Sequence, residues 1–206
     1  MPSIEHDTHE YDDDAKYSLD NHIGLRAYSR RVVELLGGPE KCRDLEVLDL
    51  GVGQGATIEV FSGAFGKYHI VEGDQEIIDR FWLTHDHDSF NADIFLSYFE
   101  EFESQHRYDV IIMGFILEHV EDPLLILRRF KDFLKDDGRM FVAVPNALAM
   151  HRRLGHYAGL LDDMYVLSEN DLALGHRRYF DPTKLKALIE EAGFRTACLE
   201  GIFLRP

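Results

Sequence analysis

From about residue 45 onward, short apolar runs alternate with stretches in which apolar residues recur every three or four positions. The runs at 45–50, 68–72, 108–114 and 139–144 read as buried strands, and the stretches at about 56–65, 75–84 and 123–134 as amphipathic helices. The helix over 123–134 is the clearest of them. Pro123 suits a first helical turn, Leu124, Leu127, Phe130, Phe133 and Leu134 form one apolar face, and Asp137-Gly138 turns the chain into the next strand. A further helix is predicted over 182–192, opened by Asp181-Pro182 and closed by Gly193, with a strand over 194–204 behind it. Ahead of the first strand, Leu25, Tyr28, Val32, Leu35 and Leu36 keep helical spacing until Gly37-Gly38-Pro39 ends the run. Such alternation predicts an α/β fold with a mostly parallel sheet. Residues 145–180 break the alternation with a long insertion, and a segment of that length usually serves a function.

Composition narrows the setting. The 206 residues suit one domain, and residues 1–16, rich in Asp, Glu and His, are expected to form a mobile acidic tail ahead of a single domain at 17–206. A net charge of −16 argues against a nucleic-acid partner, which would draw on clustered Lys and Arg. Cys42 and Cys198 have no paired spacing, so neither a disulfide framework nor a zinc site is expected. With no membrane-length apolar run and an acidic start, the expected location is the cytoplasm.

The chemistry begins at Val47–Gly55, a strand carrying Asp49 that breaks into Gly51, Gly53 and Gly55. Glycines at alternate positions permit positive φ and let a ligand approach the backbone, while the following helix offers its N-terminus. The dinucleotide fingerprint needs a glycine at position 56, where this chain has Ala56. The acid followed by G-x-G-x-G resembles motif I of the class I S-adenosylmethionine-dependent methyltransferases. Tyr108–Met113, the L-E-H-V stretch at 117–120 and Asp122-Pro123 resemble the same family, in particular its ubiquinone-biosynthesis O-methyltransferase group. Val144-Pro145-Asn146, Gly175-His176-Arg177-Arg178-Tyr179-Phe180 and Ala192-Gly193-Phe194 extend the likeness over roughly residues 45–200.

That resemblance implies a Rossmann-like three-layer sandwich that binds S-adenosylmethionine, with Asp49, Gly51, Gly53 and Gly55 at the cofactor. Glu72, 23 residues past Asp49, is assigned to the ribose hydroxyls, with Asp74 as the competing acid. Asn91–Ile94 is read as the turn after the third strand, placing Asp93 at the adenine amino group and Ile94 against its ring; a helix-capping Asp is the plain alternative. Gly114 and Phe115 are assigned to the methionine moiety. Family members usually have seven strands, the last antiparallel beside the sixth. Only one strand candidate follows Gly193, so the terminal antiparallel pairing is expected to be incomplete or the chain cut short. An open sheet edge would invite a homodimer.

Methyl transfer needs positioning and, at a hydroxyl acceptor, proton removal, which a neutral His can perform. His176 leads as the base because it borders the insertion, followed by His119 and His151. His119 reads equally as a metal ligand with Glu118 or as a helix-start residue bonded within its own turn; Phe115 stands where ubiquinone-type enzymes often carry the first acid of E-x-x-E-H, so no metal is carried over from them. His85-Asp86-His87-Asp88 reads as a solvated turn. Arg152, Arg153, Arg177 and Arg178 form a basic island that suggests an anionic acceptor group, surface solubility being the equal alternative. The expected function is methyl transfer to a small-molecule, glycan or lipid-precursor acceptor, at oxygen. A NAD(P)-dependent oxidoreductase and a non-enzymatic cofactor binder are the competing readings.

Overall fold

The computed structural model describes residues 15–202, with side chains from His22 onward apart from Asp88. The expected acidic tail falls mostly outside these residues, although Ala15 and Lys16 already belong to the first helix, α1 (Ala15–Leu35). Five parallel strands form one sheet: β1 (Glu46–Leu50), β2 (Lys67–Glu72), β3 (Asp93–Leu96), β4 (Tyr108–Gly114) and β5 (Leu134–Ala143), in the order β3-β2-β1-β4-β5. The order reverses between β1 and β4, where open α/β sheets form their ligand crevice. One core lies on the side of α1 and α3 (Ile58–Ala64), joining Tyr28, Val32, Phe61 and Ile70. The other packs α5 (Pro123–Lys131) and α8 (Pro182–Glu191) on the opposite face through Leu48, Ile111, Leu127, Phe130 and Leu185. Helices on both faces make this the expected three-layer sandwich.

The helices behave as their termini predict. Asp122 accepts hydrogen bonds from the Leu124 and Leu125 amides, and Asp181 from those of Thr183 and Lys184, each with proline in the first turn. Gly193 closes α8 at φ +84°, the left-handed conformation glycine adopts without strain. Asp74 caps α4 (Gln75–Thr84) through the Glu76 amide at 2.8 Å.

Three expectations need correction. The third strand begins at Asp93, so Asp93 and Ile94 do not form a turn beyond its end. Asp93 pairs with His69 near the start of β2, at the opposite end of the sheet from the glycine turn. This short edge strand is largely exposed and carries no apolar alternation to mark it. The Asp137-Gly138 turn lies inside β5: Leu134 pairs with Tyr108 and Arg139 with Val110, so five steps on β5 run beside two on β4. The additional residues bulge out of the ladder. Residues 194–202 form no strand, and no antiparallel strand occurs among the described residues. Arg31 of α1 holds Glu200 at 2.6 Å, drawing this segment toward α1.

Candidate functional site

At the carboxyl ends of β1, β2 and β4 a cleft of about 2750 Å³ opens and continues along β5, an edge strand among the described residues, toward residues 194–202. Its first wall is the glycine turn. Gly51, Gly53 and Gly55 have φ of +86°, +54° and +81°. A Cβ on Gly51 would come within 3.0 Å of Ile116, and one on Gly55 within 2.8 Å of the Phe81 ring, whereas one on Gly53 would meet nothing within 4 Å. The turn therefore folds back against α4 and the β4 loop while leaving room at Gly53.

Glu72 closes this wall. Its carboxylate accepts the amides of Val52 at 2.9 Å and Asp74 at 3.1 Å, tying the glycine turn to the end of β2. A carboxylate has about four acceptor positions, so these two bonds leave capacity for a bound diol. The side chain of Asp74 is engaged as the α4 cap, which favours Glu72 of the two acids. The residues that follow β3 toward the cleft are Tyr98, Phe99 and Glu100. A Cβ on Gly73 would lie 3.1 Å from the Tyr98 ring, so this loop, and not Asp93 or Ile94, borders the end of β2 at the cleft.

Asp49 is buried beneath the turn and accepts a 2.6 Å hydrogen bond from Tyr68. Burial pushes its carboxyl up to about 7, against the lowering effect of the Tyr68 bond. The folded value lies above the unfolded carboxylate range, so between about pH 4 and 7 the native chain holds a proton that the unfolded chain releases. Stability should therefore fall as pH rises through that window. Asp49→Asn is expected to shrink the difference between urea midpoints at pH 5 and pH 8; an unchanged difference would assign the effect elsewhere.

At the end of β4 the backbone is strained. Phe115, which is not glycine, sits at φ +61°, with its amide bound to Ala143 O at 2.8 Å and its ring edge-on to Tyr28 at 6.1 Å. Gly114 allows this approach, since a Cβ there would lie 2.9 Å from the Tyr28 ring.

The second wall brings Glu118, His119 and His176 together. One ligand-type atom from each lies within 4.8 Å of the others, and the His119 and His176 rings meet edge-on at 4.7 Å. Glu118 is fully buried with neither carboxylate oxygen hydrogen-bonded, and burial pushes it up to about 8. His176 Nδ1 lies 3.3 Å from Asp171 Oδ1, without the alignment of a hydrogen bond. Burial lowers the imidazole pKa and Asp171 offsets part of that, so His176 is neutral at pH 7. His151 lines the same cleft from α6 (Met150–Tyr157).

A glycine cradle, an acid after the second strand and a strained loop after the fourth thus meet in one cleft on this sheet order. The methyltransferase domain family covers residues 21–199 of this sequence. The chain belongs to the class I S-adenosylmethionine-dependent methyltransferases. Over 123 residues it is 31% identical to the ubiquinone biosynthesis O-methyltransferase of Bradyrhizobium diazoefficiens, a match that takes in 59% of this chain and 46% of that enzyme. It thus spans about half the length of that relative. The enzyme of the same name from Pseudoalteromonas translucida is 24% identical over 165 residues, 79% of this chain and 69% of that one. Among solved structures, a SAM-dependent methyltransferase of Thermotoga maritima superposes with a TM-score of 0.62 at 16% identity, covering 88% of this chain and 76% of that chain. The plantazolicin methyltransferase BamL, solved with a triazolic desmethylPZN analog and SAH, gives 0.62 at 18% identity, with 86% and 65% covered. These two likenesses concern the fold.

In this methyltransferase the insertion is an organised unit. Arg152 is buried and donates to Met164 O at 2.8 Å, to Val166 O at 2.5 Å and to the Tyr179 hydroxyl at 3.0 Å, and its guanidinium lies 4.0 Å over the Tyr179 ring. The Tyr179 hydroxyl bonds Asp171, which also forms a capping box with Ser168 at the start of α7 (Glu169–Ala173). Arg178 donates to the Leu117, Val120 and Glu121 carbonyls. The basic island therefore disperses: Arg152 and Arg178 hold structure, and of the other two Arg153 lines the cleft. Among the described residues of the methyltransferase, no helix is long and apolar enough to cross a membrane.

Sequence reasoning missed Asp171 and weighed Glu118 only as a metal ligand beside His119. The S-x-x-D spacing of Ser168 and Asp171 marks a helix start, yet it carries no sign that the same carboxylate reaches His176.

Proposed function

We propose that this methyltransferase transfers a methyl group from S-adenosylmethionine to a hydroxyl oxygen of a small, largely apolar acceptor. The observation that carries the reading is one cleft with a glycine cradle on one wall and, on the other, a Glu118–His119–His176 cluster built on a buried carboxylate. Asp49, Gly51, Gly53 and Gly55 would hold the cofactor, with Glu72 on the ribose, Gly114 and Phe115 beside the methionine portion, and Tyr98 and Phe99 near the adenine. The sulfonium supplies a good leaving group, so the chain's own work is to exclude water, align the acceptor and activate its hydroxyl. Activation falls to the cluster. His176, neutral and oriented by Asp171, leads, with His119 beside it and His151 on the adjoining helix. Leu148, Met150 and Leu154 give the acceptor side an apolar lining, and with two of four arginines engaged internally an anionic acceptor loses its main support. The names of the curated relatives favour oxygen. β5, an edge strand among the described residues, supports self-association as a further proposal.

The test is radiolabel transfer from methyl-tritiated S-adenosylmethionine to panels of phenols, catechols and amines. Labelled phenols or catechols, with a rate lowered about 100-fold in His176→Gln, are expected for a lost base. Labelling of amines alone would refute the oxygen assignment. Calorimetry in which NAD binds and S-adenosylhomocysteine does not would refute the cofactor assignment as well.

A further inference from the structure

The notable property of the second wall is an unanswered carboxylate. Glu118 has no exposed surface, both of its oxygens lack a hydrogen-bond partner, and it faces the cleft. Buried polar groups in native proteins are nearly always satisfied, so a bare carboxylate in this setting marks the place of something bound. Ligand atoms from Glu118, His119 and His176 lie within 4.8 Å of one another. Small rotations of three side chains would close that distance onto a single ion with bonds of about 2.1 Å.

We propose that Glu118, His119 and His176 form a divalent cation site, with the insertion supplying its third ligand. In this chain position 115, where the ubiquinone-type motif carries an acid, is Phe115, and its ring packs against Tyr28. A ligand set taken from the β4 loop alone would therefore be incomplete. His176 reaches the same point from a different segment, held there because the Arg177 amide bonds Glu118 O at 2.8 Å. Asp171, 3.3 Å from His176 Nδ1, is the carboxylate that commonly orients a ligating imidazole. Two imidazoles and one carboxylate suit Zn²⁺ or Mn²⁺ better than Mg²⁺, which takes oxygen ligands and keeps its waters. Open coordination positions would face the acceptor space, where a cation supplies Lewis-acid polarisation of a hydroxyl. The inference rests on the methyltransferase reading and changes one part of it: His176 holds the ion rather than taking the proton.

The experiment is calorimetry on the untagged full chain after chelator dialysis, titrated in turn with Zn²⁺, Mn²⁺, Mg²⁺ and S-adenosylhomocysteine, with the absorption spectrum of a Co²⁺-loaded sample as a second readout. One Zn²⁺ per chain is expected, with Mg²⁺ at least about tenfold weaker. Glu118→Gln, His119→Gln and His176→Gln should each weaken Zn²⁺ by about 30-fold or more and abolish the Co²⁺ bands, since each removes one of three ligands. S-adenosylhomocysteine affinity should stay within about threefold in all of them, a sign that they remain folded. No stoichiometric ion in the parent chain overturns the site. So does an ion that survives all three substitutions, as one held by the His6–His9 stretch would. Cofactor-product binding without metal binding leaves the methyltransferase reading standing and this inference refuted; loss of both refutes both.

Discussion

Replacing Glu72 with alanine is expected to lower the affinity of the methyltransferase for S-adenosylhomocysteine by about 100-fold or more. Two hydrogen bonds from ribose hydroxyls to a charged acceptor are worth about 3–4 kcal/mol together. The substitution does further harm, because the Val52 and Asp74 amides lose the acceptors that hold the glycine turn at the end of β2. Glu72→Gln should fall between the two. Its amide oxygen can serve one pair of donors, while its NH₂ group faces donors where the carboxylate offered a second oxygen. Asp74→Ala supplies the contrast: it removes the α4 cap, costs about 1 kcal/mol of stability and leaves the affinity nearly unchanged. Titration calorimetry at constant salt measures all three. If Asp74→Ala abolished binding and Glu72→Ala did not, the ribose would belong to Asp74.

How far the site could be read from the sequence depended on how local each part is. The glycine turn, Glu72 and the β4 loop each follow a strand whose apolar run is evident, and their roles depend on spacing along a few residues. Glu72 reaches Val52 because β1 and β2 are neighbours in register, with Leu50 opposite Val71. Asp93 and Ile94 were misplaced because β3 is an edge strand of four residues with little burial, and without alternation its start and end cannot be told apart. The bulge in β5 is hidden for a related reason. Asp136-Asp137-Gly138 has the composition of a turn, and Leu134 on the far side of it still pairs with Tyr108. The strand expected at 194–204 is missing from its described part, 194–202, through tertiary context: these residues suit a strand, but no described ladder receives them, and Arg31 draws Glu200 toward α1. The cluster opposite the cofactor was half legible. L-E-H-V drew attention to His119, whereas the meeting of Glu118 with His176, 58 positions later, exists only once the insertion has folded.

The second large effect is expected from Arg152→Ala, and it falls on the acceptor side alone. The guanidinium connects α6 to the Met164 and Val166 carbonyls and to Tyr179, and Tyr179 in turn bonds Asp171. Removing it leaves buried acceptors unpaired and a cavity beneath a stacked ring, together about 3–5 kcal/mol on the unit between residues 150 and 180. Arg152→Lys should behave nearly as badly, because one ammonium cannot reach three divergent acceptors or stack flat on the Tyr179 ring. Hydrogen exchange should quicken across 150–176 by about 100-fold while the amides of β1, β2 and β4 keep their protection. S-adenosylhomocysteine should still bind within about twofold, because none of the Arg152 contacts reaches the glycine turn or Glu72. Methyl transfer should drop far more than binding, since Asp171 and through it His176 lose their placement. Equal losses of cofactor affinity and transfer would instead mean that the insertion and the sheet fold as one cooperative unit. The tether of Arg177 and Arg178 to the carbonyls of Glu118, Leu117 and Val120 would then be the route by which the damage spreads.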